Sequence, residues 1–169
     1  QTAVGKDSLR ANTTGTRNTA VGNASLEINT TGNDNVALGD YALYNNTTAS
    51  NNVAVGKDAL LSNTTGSENT VVGSLAADAI TTGANIVAVG SKALSADTMG
   101  FGTVAIGQQV FEAQNFTTAT DVYNVGIGFQ AGLVNSTGKS NTFIGAETGK
   151  ANTTGENNVF VGHEAGEAN

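Results

Sequence analysis

The chain has 169 residues, a formal net charge of −7, 22 glycines, and no proline, cysteine or tryptophan. The acidic charge argues against a nucleic-acid partner, because phosphate backbones select basic surfaces. The lack of cysteine excludes disulfides and thiolate metal sites. There is no apolar run near 18 residues, so we expect no membrane insertion.

A 17-residue repeat organises the chain. An aliphatic residue followed by glycine returns every 17 residues, except across one interval that carries a four-residue insertion within 108–124. A fixed short period is typical of a solenoid, and Asn, Thr, Val and Gly are poor helix formers. We predict one all-β repeat domain over 1–169, a parallel β-solenoid or β-roll of about ten rungs, with two short strands and two turns in each. The repeat glycines are Gly5, Gly22, Gly39, Gly56, Gly73, Gly90, Gly107, Gly128, Gly145 and Gly162.

The first predicted strand of each rung ends at the residue before the repeat glycine. This residue is aliphatic in all ten rungs, which suits a stacked strand, and we expect it to face inward. The residue two positions earlier is Thr or Val and lies on the same face. The aliphatic column is Val4, Val21, Leu38, Val55, Val72, Val89, Ile106, Ile127, Ile144 and Val161.

Between these two positions lies a column of mostly small residues that must face the other way. It carries no charge, so we expect a second buried surface, either inside one chain or between chains. The column is Ala3, Ala20, Ala37, Ala54, Val71, Ala88, Ala105, Gly126, Phe143 and Phe160.

A second apolar column follows each repeat glycine by four residues. Where it contains Leu, the small column stays small, and where it contains Gly149 or Gly166, the small column contains Phe143 or Phe160. This exchange keeps the summed volume, as close packing requires, and predicts that the two columns touch. The second column is Leu9, Leu26, Leu43, Leu60, Ala77, Leu94, Phe111, Gly132, Gly149 and Gly166.

The recurrent Asn-Thr-Thr-Gly segment predicts a turn at the same place in each rung, because Asn and Gly both tolerate left-handed backbone. Stacked Asn side chains can also form ladders of hydrogen bonds from rung to rung. We therefore predict a structural turn ladder of two Asn columns. The first is Asn12, Asn29, Asn46, Asn63, Asn135 and Asn152, and the second is Asn18, Asn35, Asn52, Asn69, Asn124, Asn141 and Asn158.

Candidate chemistry is sparse along the chain. His163 is the only histidine, and we expect it at the surface without a metal. Acids such as Asp7, Asp58, Glu147 and Glu164 have no nucleophile or base with them, so we expect no catalytic residue, metal or cofactor, and no enzyme. Two adjacent ranks of threonine allow an alternative, a monomeric ice-binding β-solenoid. The ranks are Thr13, Thr30, Thr47, Thr64, Thr81 and Thr98, and Thr14, Thr31, Thr48, Thr65 and Thr82.

The insertion is the main departure from the repeat. All six phenylalanines lie from residue 101 onward, and the segment 112–124 contains Phe116, Asp121 and Tyr123. Loops that leave a regular scaffold often carry contact sites, so these three residues form a candidate recognition loop for a host-surface glycan or protein. The alternative is a local repair of the stack or a lateral contact between chains.

The repeats, such as NTAVGNASLEINTTGND (18–34) and NVAVGKDALLSNTTGSE (52–68), resemble those of phage tail-fibre proteins and bacterial tail-fibre-domain proteins. More distantly, the VAVG and VAIG strands resemble the head repeats of trimeric autotransporter adhesins. The resemblance implies an elongated homotrimer for host or surface attachment, located in the virion or at a cell surface. A bacterial trimeric adhesin head remains an alternative. Because neither end shows a capping element, we expect a segment of a longer fibre.

Overall fold

In the computed structural model, which describes residues 1–167, the chain is an all-β structure of very short strands. The strands are β1 (Thr2–Val4), β2 (Thr19–Val21), β3 (Val36–Leu38), β4 (Val53–Val55), β5 (Thr70–Val72), β6 (Val87–Val89), β7 (Gly100–Phe101), β8 (Val104–Ile106), β9 (Thr120–Asp121), β10 (Val125–Ile127), β11 (Thr142–Ile144) and β12 (Val159–Val161). No helix in this part of the chain could cross a membrane.

Ten of the strands form one parallel sheet in which each rung pairs with the next. Their order is β1-β2-β3-β4-β5-β6-β8-β10-β11-β12, and equivalent repeat positions pair, as Ala37 does with Ala54. The predicted parallel β-solenoid is therefore confirmed, with ten strands enclosing about nine turns. The prediction of two strands per rung is wrong, because a regular rung contains one three-residue strand and is otherwise built from turns.

The turns depend on left-handed backbone at non-glycine residues. In the fourth rung, Asp58, Leu60 and Glu68 have φ of 56°, 52° and 63°, and the same three positions recur along the stack. β-Branched side chains are the least tolerant of this conformation. Within residues 1–167, none of the residues with positive φ is Val, Ile or Thr, so the sequence avoids β-branched residues at these left-handed positions.

The repeat glycine is required by the closeness of successive rungs. Gly56 has φ of 133°, and a Cβ at this position would lie 2.6 Å from the carbonyl oxygen of Gly73. A side chain would therefore suffer both backbone strain and a clash with the next rung. The same clash occurs at each repeat glycine from Gly5 to Gly145, which explains the 17-residue spacing of these glycines.

The small column, rather than the aliphatic column before glycine, faces the interior. Ala37, Ala54 and Ala88 have no exposed surface, whereas Leu38 and Val72 are each 36% exposed. The expectation that the aliphatic column faces inward is therefore wrong. The physical reason is that the Leu column enters from the opposite wall and fills the thin interior, leaving room for only a methyl group on the strand.

The small column and the Leu column touch inside one chain, as the volume exchange predicts. A Cβ on Gly126 would lie 2.6 Å from the Phe111 ring, and a Cβ on Gly149 would lie 2.9 Å from the Phe143 ring. Phe143 and Phe160 stack with ring centroids 5.4 Å apart. The small column therefore lies in the core of each chain and cannot form an interface between chains.

Candidate functional site

The outward side of the ten-stranded sheet is an uncharged and largely apolar surface, which we name the strand face. It consists of the aliphatic column before glycine and the Thr or Val column two residues earlier. The latter column is Thr2, Thr19, Val36, Val53, Thr70, Val87, Val104, Val125, Thr142 and Val159. Ile106, Ile127 and Ile144 are each 37% exposed, so the side chains present a uniform surface along the stack.

The size of the strand face makes it a candidate interaction surface. Ten strands about 4.8 Å apart give a length of about 45 Å, and two side-chain columns about 7 Å apart give an area on the order of 500 Å². Exposed apolar patches of this size on soluble proteins are commonly contact sites. Apart from Tyr41 and Val134, each large apolar side chain reported as exposed within residues 1–167 lies on this face or at its two edges.

Charged residues lie on the other sides of the solenoid and often pair between successive rungs. Arg17 Nη2 lies 2.8 Å from Asp34 Oδ2, and Lys139 Nζ lies 3.5 Å from Glu156 Oε1. The hydrogen bond from Arg17 lowers the pKa of the Asp34 carboxyl. Exposed pairs of this kind add little stability, but their location leaves the strand face without charge.

The first Asn column forms a ladder of side-chain hydrogen bonds through the interior. The Nδ2 of Asn29 donates to Asn12 Oδ1 at 2.7 Å, that of Asn46 to Asn29 Oδ1 at 2.8 Å, and that of Asn63 to Asn46 Oδ1 at 3.0 Å. Each Nδ2 also donates to a carbonyl oxygen three residues ahead, such as Asn46 to Ala49. The ladder therefore provides donors for carbonyl oxygens of the turns and links each rung to the preceding one.

The second Asn column links the rungs through the backbone. The amide of Asn52 donates to Asn35 Oδ1, and that of Asn69 to Asn52 Oδ1, both at 3.0 Å. The Nδ2 of Asn52 donates to the carbonyl of Gly66 in the next rung. Both columns are buried where the stack is continuous, so their polar atoms depend on these partners.

Replacing Asn46 by Ala is expected to lower the free energy of unfolding by about 2–4 kcal/mol, because it removes two donated bonds and leaves buried acceptors unpaired. Urea unfolding followed by circular dichroism measures the loss. Asn45→Ala is the matched control, since Asn45 is only half-buried. Equal losses for both variants would contradict a stabilising role of the ladder.

The ladder breaks in the fifth rung, where Ile80 and Ile86 replace both asparagines and are buried together. As a result, Asn63 Oδ1 is buried without a hydrogen-bond partner. The next position of the first column is Asp97, and a carboxylate has no N–H to donate to the preceding rung. An asparagine at position 80 could donate to Asn63 Oδ1, but its own Oδ1 would then receive no donor from Asp97, so one buried acceptor stays unpaired in either case.

Asp97 is the centre of a buried polar cluster beneath the insertion. Its Oδ1 accepts from the amides of Gly100 at 3.2 Å and Phe116 at 2.9 Å, and its Oδ2 accepts from Gln114 Nε2 at 2.8 Å. Gln114 Oε1 in turn accepts from Asn124 Nδ2 at 2.9 Å. Asp97 is fully buried, and burial raises the pKa of its carboxyl above 3.8 in spite of these donors.

The raised pKa of Asp97 predicts a pH-dependent contribution to stability. Because the folded pKa lies above the unfolded one, the contribution is full below the unfolded pKa and is lost as pH rises through the folded pKa. The free energy of unfolding of the wild type relative to Asp97→Asn should therefore increase as pH falls from 7 to 4. Urea titrations across this range test it, and a flat or opposite dependence would contradict it.

The insertion is anchored by apolar side chains and leaves others at the surface. Phe116 is 8% exposed and Val122 has no exposed surface, and β9 pairs with β7 outside the main sheet. Phe116 therefore anchors the loop and is not available to a partner. Asp121 and Tyr123 are exposed, and Tyr123 is the more prominent, with 59% of its surface exposed.

The first threonine rank is largely engaged in the stack. The hydroxyls of Thr30, Thr47, Thr64 and Thr81 each donate to the carbonyl of the threonine one rung ahead, at 3.0–3.1 Å. These donors are therefore not free to order water, which weakens the ice-binding alternative for this rank. Thr14, Thr31, Thr48 and Thr65 are exposed in the turn beside it.

The remaining candidates do not converge on a site. His163 is exposed, and its Nε2 lies 3.6 Å from Glu164 Oε1. Asp7, Asp58 and Glu147 are half-buried in the turns. Within residues 1–167, no group of three His, Cys, Asp or Glu side chains could hold a metal ion. That same part of the chain has no ligand-sized pocket.

The strand face is the most extensive exposed apolar surface within residues 1–167, and Tyr123 of the insertion lies at its edge. Comparison with known proteins gives no further guide, since no protein-family model, curated protein or solved structure matches the chain.

Proposed function

We propose that this chain is a structural segment of a homotrimeric attachment fibre, of the kind found in phage tail fibres or fibre-like adhesins. The observation that carries the proposal is the uncharged strand face, which runs along all ten rungs of the solenoid. A location in the virion or at a cell surface follows from this role.

Association would remove the strand face from water. Three faces of about 500 Å² each would bury on the order of 1,500 Å², a size typical of specific interfaces. Because the face has no charged residue, burying it costs no desolvation of an ion. The number three is taken from the resemblance of the repeats to tail-fibre proteins.

The interior of each chain suits a stiff rod. Asn ladders and parallel strands connect each rung to its neighbours, so the segment would hold its neighbours in the fibre at a fixed distance. Receptor contact would fall to exposed departures from the repeat, of which Asp121 in the insertion is the candidate. A host-surface glycan or protein would be the partner.

Small-angle X-ray scattering of the segment tests the proposal. We expect a particle about 45 Å long, from ten rungs about 4.8 Å apart, with a cross-section that holds three solenoids side by side. A cross-section that fits a single solenoid at all concentrations would contradict the trimer.

A further inference from the structure

The strand face becomes wider at one rung, next to the insertion. From Tyr123 through β10 to Phe129, alternate side chains are exposed or half-buried, and the residues between them are buried or glycine. Tyr123 is 59% exposed, Ile127 37% and Phe129 44%. An aromatic ring therefore lies beyond each end of β10, next to its two strand-face residues, Val125 and Ile127.

No other rung has this arrangement. The edge position before the strand is elsewhere Arg17, Asp34, Asn51, Glu68, Asn85, Gly102, Ser140 or Asn157. The edge position after the strand is elsewhere Lys6, Asn23, Asp40, Lys57, Ser74, Ser91, Gln108, Ala146 or His163. These residues are mostly polar or charged, as expected at the boundary between an apolar face and water, so the two aromatic residues at β10 need a separate explanation.

The ring of Tyr123 is held in place from the neighbouring rung. A Cβ on Gly102 would lie 2.8 Å from Tyr123 Cδ1, and Gly102 is the only glycine at this edge position. Because residue 102 has no side chain, the ring of Tyr123 can lie against the backbone of the preceding rung. The ring is supported on one side and remains exposed on the other.

We propose that Tyr123 of one copy contacts Phe129 of the next copy in the trimer and thereby sets the register of the three chains. This inference rests on the proposed function. In a closed ring of three parallel solenoids, the strands run around the axis, so the end of one strand meets the start of the next chain's strand. At each of the three seams, Tyr123 before β10 of one copy then lies opposite Phe129 after β10 of the neighbouring copy.

A register device is needed because the strand face repeats. If one chain slips by one rung, about 4.8 Å, each strand-face residue meets a residue of the same type one rung away. Little apolar contact is then lost. Uniform surfaces of this kind specify register weakly. The aromatic pair occurs at one rung only, so a single register brings Tyr123 and Phe129 together at every seam.

A cysteine pair tests the contact directly, since the native chain has no cysteine. Positions 123 and 129 lie beyond opposite ends of β10, whose two outward columns are already about 7 Å apart, so the two cysteines are too far apart for a disulfide within one chain. We expect the double variant Tyr123→Cys/Phe129→Cys, after mild oxidation, to run as a covalent trimer on a non-reducing gel. Each single variant should remain a monomer on the gel.

The matched control moves one cysteine out of register. Ser91 occupies the edge position after β6, two rungs from β10, so Tyr123→Cys/Ser91→Cys should give no covalent trimer. If light scattering shows trimers but the matched pair does not cross-link, or the offset pair cross-links equally, the register inference fails and the proposed function stands. Monomers of the unmodified chain in light scattering would overturn both.

A charge exchange provides a second readout that needs no oxidation. Both edges tolerate charge in other rungs, as Arg17 and Asp40 show. Tyr123→Arg and Phe129→Glu should each lower the midpoint of thermal dissociation of the trimer, and the double variant should recover most of the loss at low salt. Additive losses would overturn the inference.

Discussion

Replacing Val72 by Glu is expected to convert the assembled protein into monomers. Val72 lies near the middle of the strand face and is 36% exposed in the single chain, so the substitution should leave the solenoid folded. In the trimer it would bury three carboxylates without cationic partners. The cost of several kcal/mol should weaken association by about 1,000-fold or more, measurable by sedimentation equilibrium.

Thr65→Glu is the matched control for this substitution. Thr65 is exposed in the Asn-Thr-Thr-Gly turn, away from the strand face, and the variant adds the same charge to the preceding rung. It should assemble like the wild type. If both variants stay assembled, or both dissociate, the strand face is not the surface that joins the chains.

Replacing Phe143 by Ala is expected to lower the free energy of unfolding by about 3–5 kcal/mol, because it opens a cavity beside Phe111 and Phe160. Gly149→Leu alone should cost about 1–3 kcal/mol through overpacking, since even a Cβ at 149 would lie 2.9 Å from the Phe143 ring. The double variant restores the Ala and Leu combination of the early rungs, so we expect it to be more stable than Phe143→Ala.

A double-mutant cycle in urea measures this coupling, which should reach about 2 kcal/mol or more for residues in contact. A second cycle with Phe143→Ala and Leu60→Ala is the control, because Leu60 is equally buried but lies several rungs away. That cycle should be additive. Additivity in both cycles would contradict the packing of the small column against the Leu column.

The repeat, the parallel stack and the contact between two apolar columns were predictable from sequence because each depends on a periodic constraint. Gly56 must be glycine to approach Gly73 closely, and Phe143 must face a glycine at 149. The absence of Val, Ile and Thr at the left-handed positions of the described residues was a further signal, visible in the sequence, for the turns that replace the predicted second strand.

The direction of the aliphatic column was not predictable from residue type alone. Because side chains alternate between the two faces of a strand, a Val-Ala-Val segment can bury either its valines or its alanine. Hydrophobicity alone favours burial of the valines. The decision comes from the opposite wall, where Leu43 and Leu60 occupy the interior and leave space for only alanine. The same choice exposes Val72 and Ile127, so the error in orientation concealed the strand face.

The anchoring role of Phe116 was equally hidden, because sequence shows an aromatic residue in an insertion but not the cavity that receives it. The amide of Phe116 donates to buried Asp97, a contact that joins residues 19 apart across the irregular rung. Tyr123 and Phe129 were visible as aromatic residues. That they lie at the two ends of one outward-facing strand becomes clear only when the orientation of β10 is known.

The most direct measurement is the solution mass of the segment by light scattering over a range of dilutions. We predict a mass near three times 16.9 kDa that persists on dilution, because an uncharged strand face of about 500 Å² on each chain would be buried between copies. A stable monomer of 16.9 kDa would contradict it. The strand face would then be a free, flat surface, and the ice-binding alternative would have to be tested on its Thr and Val columns.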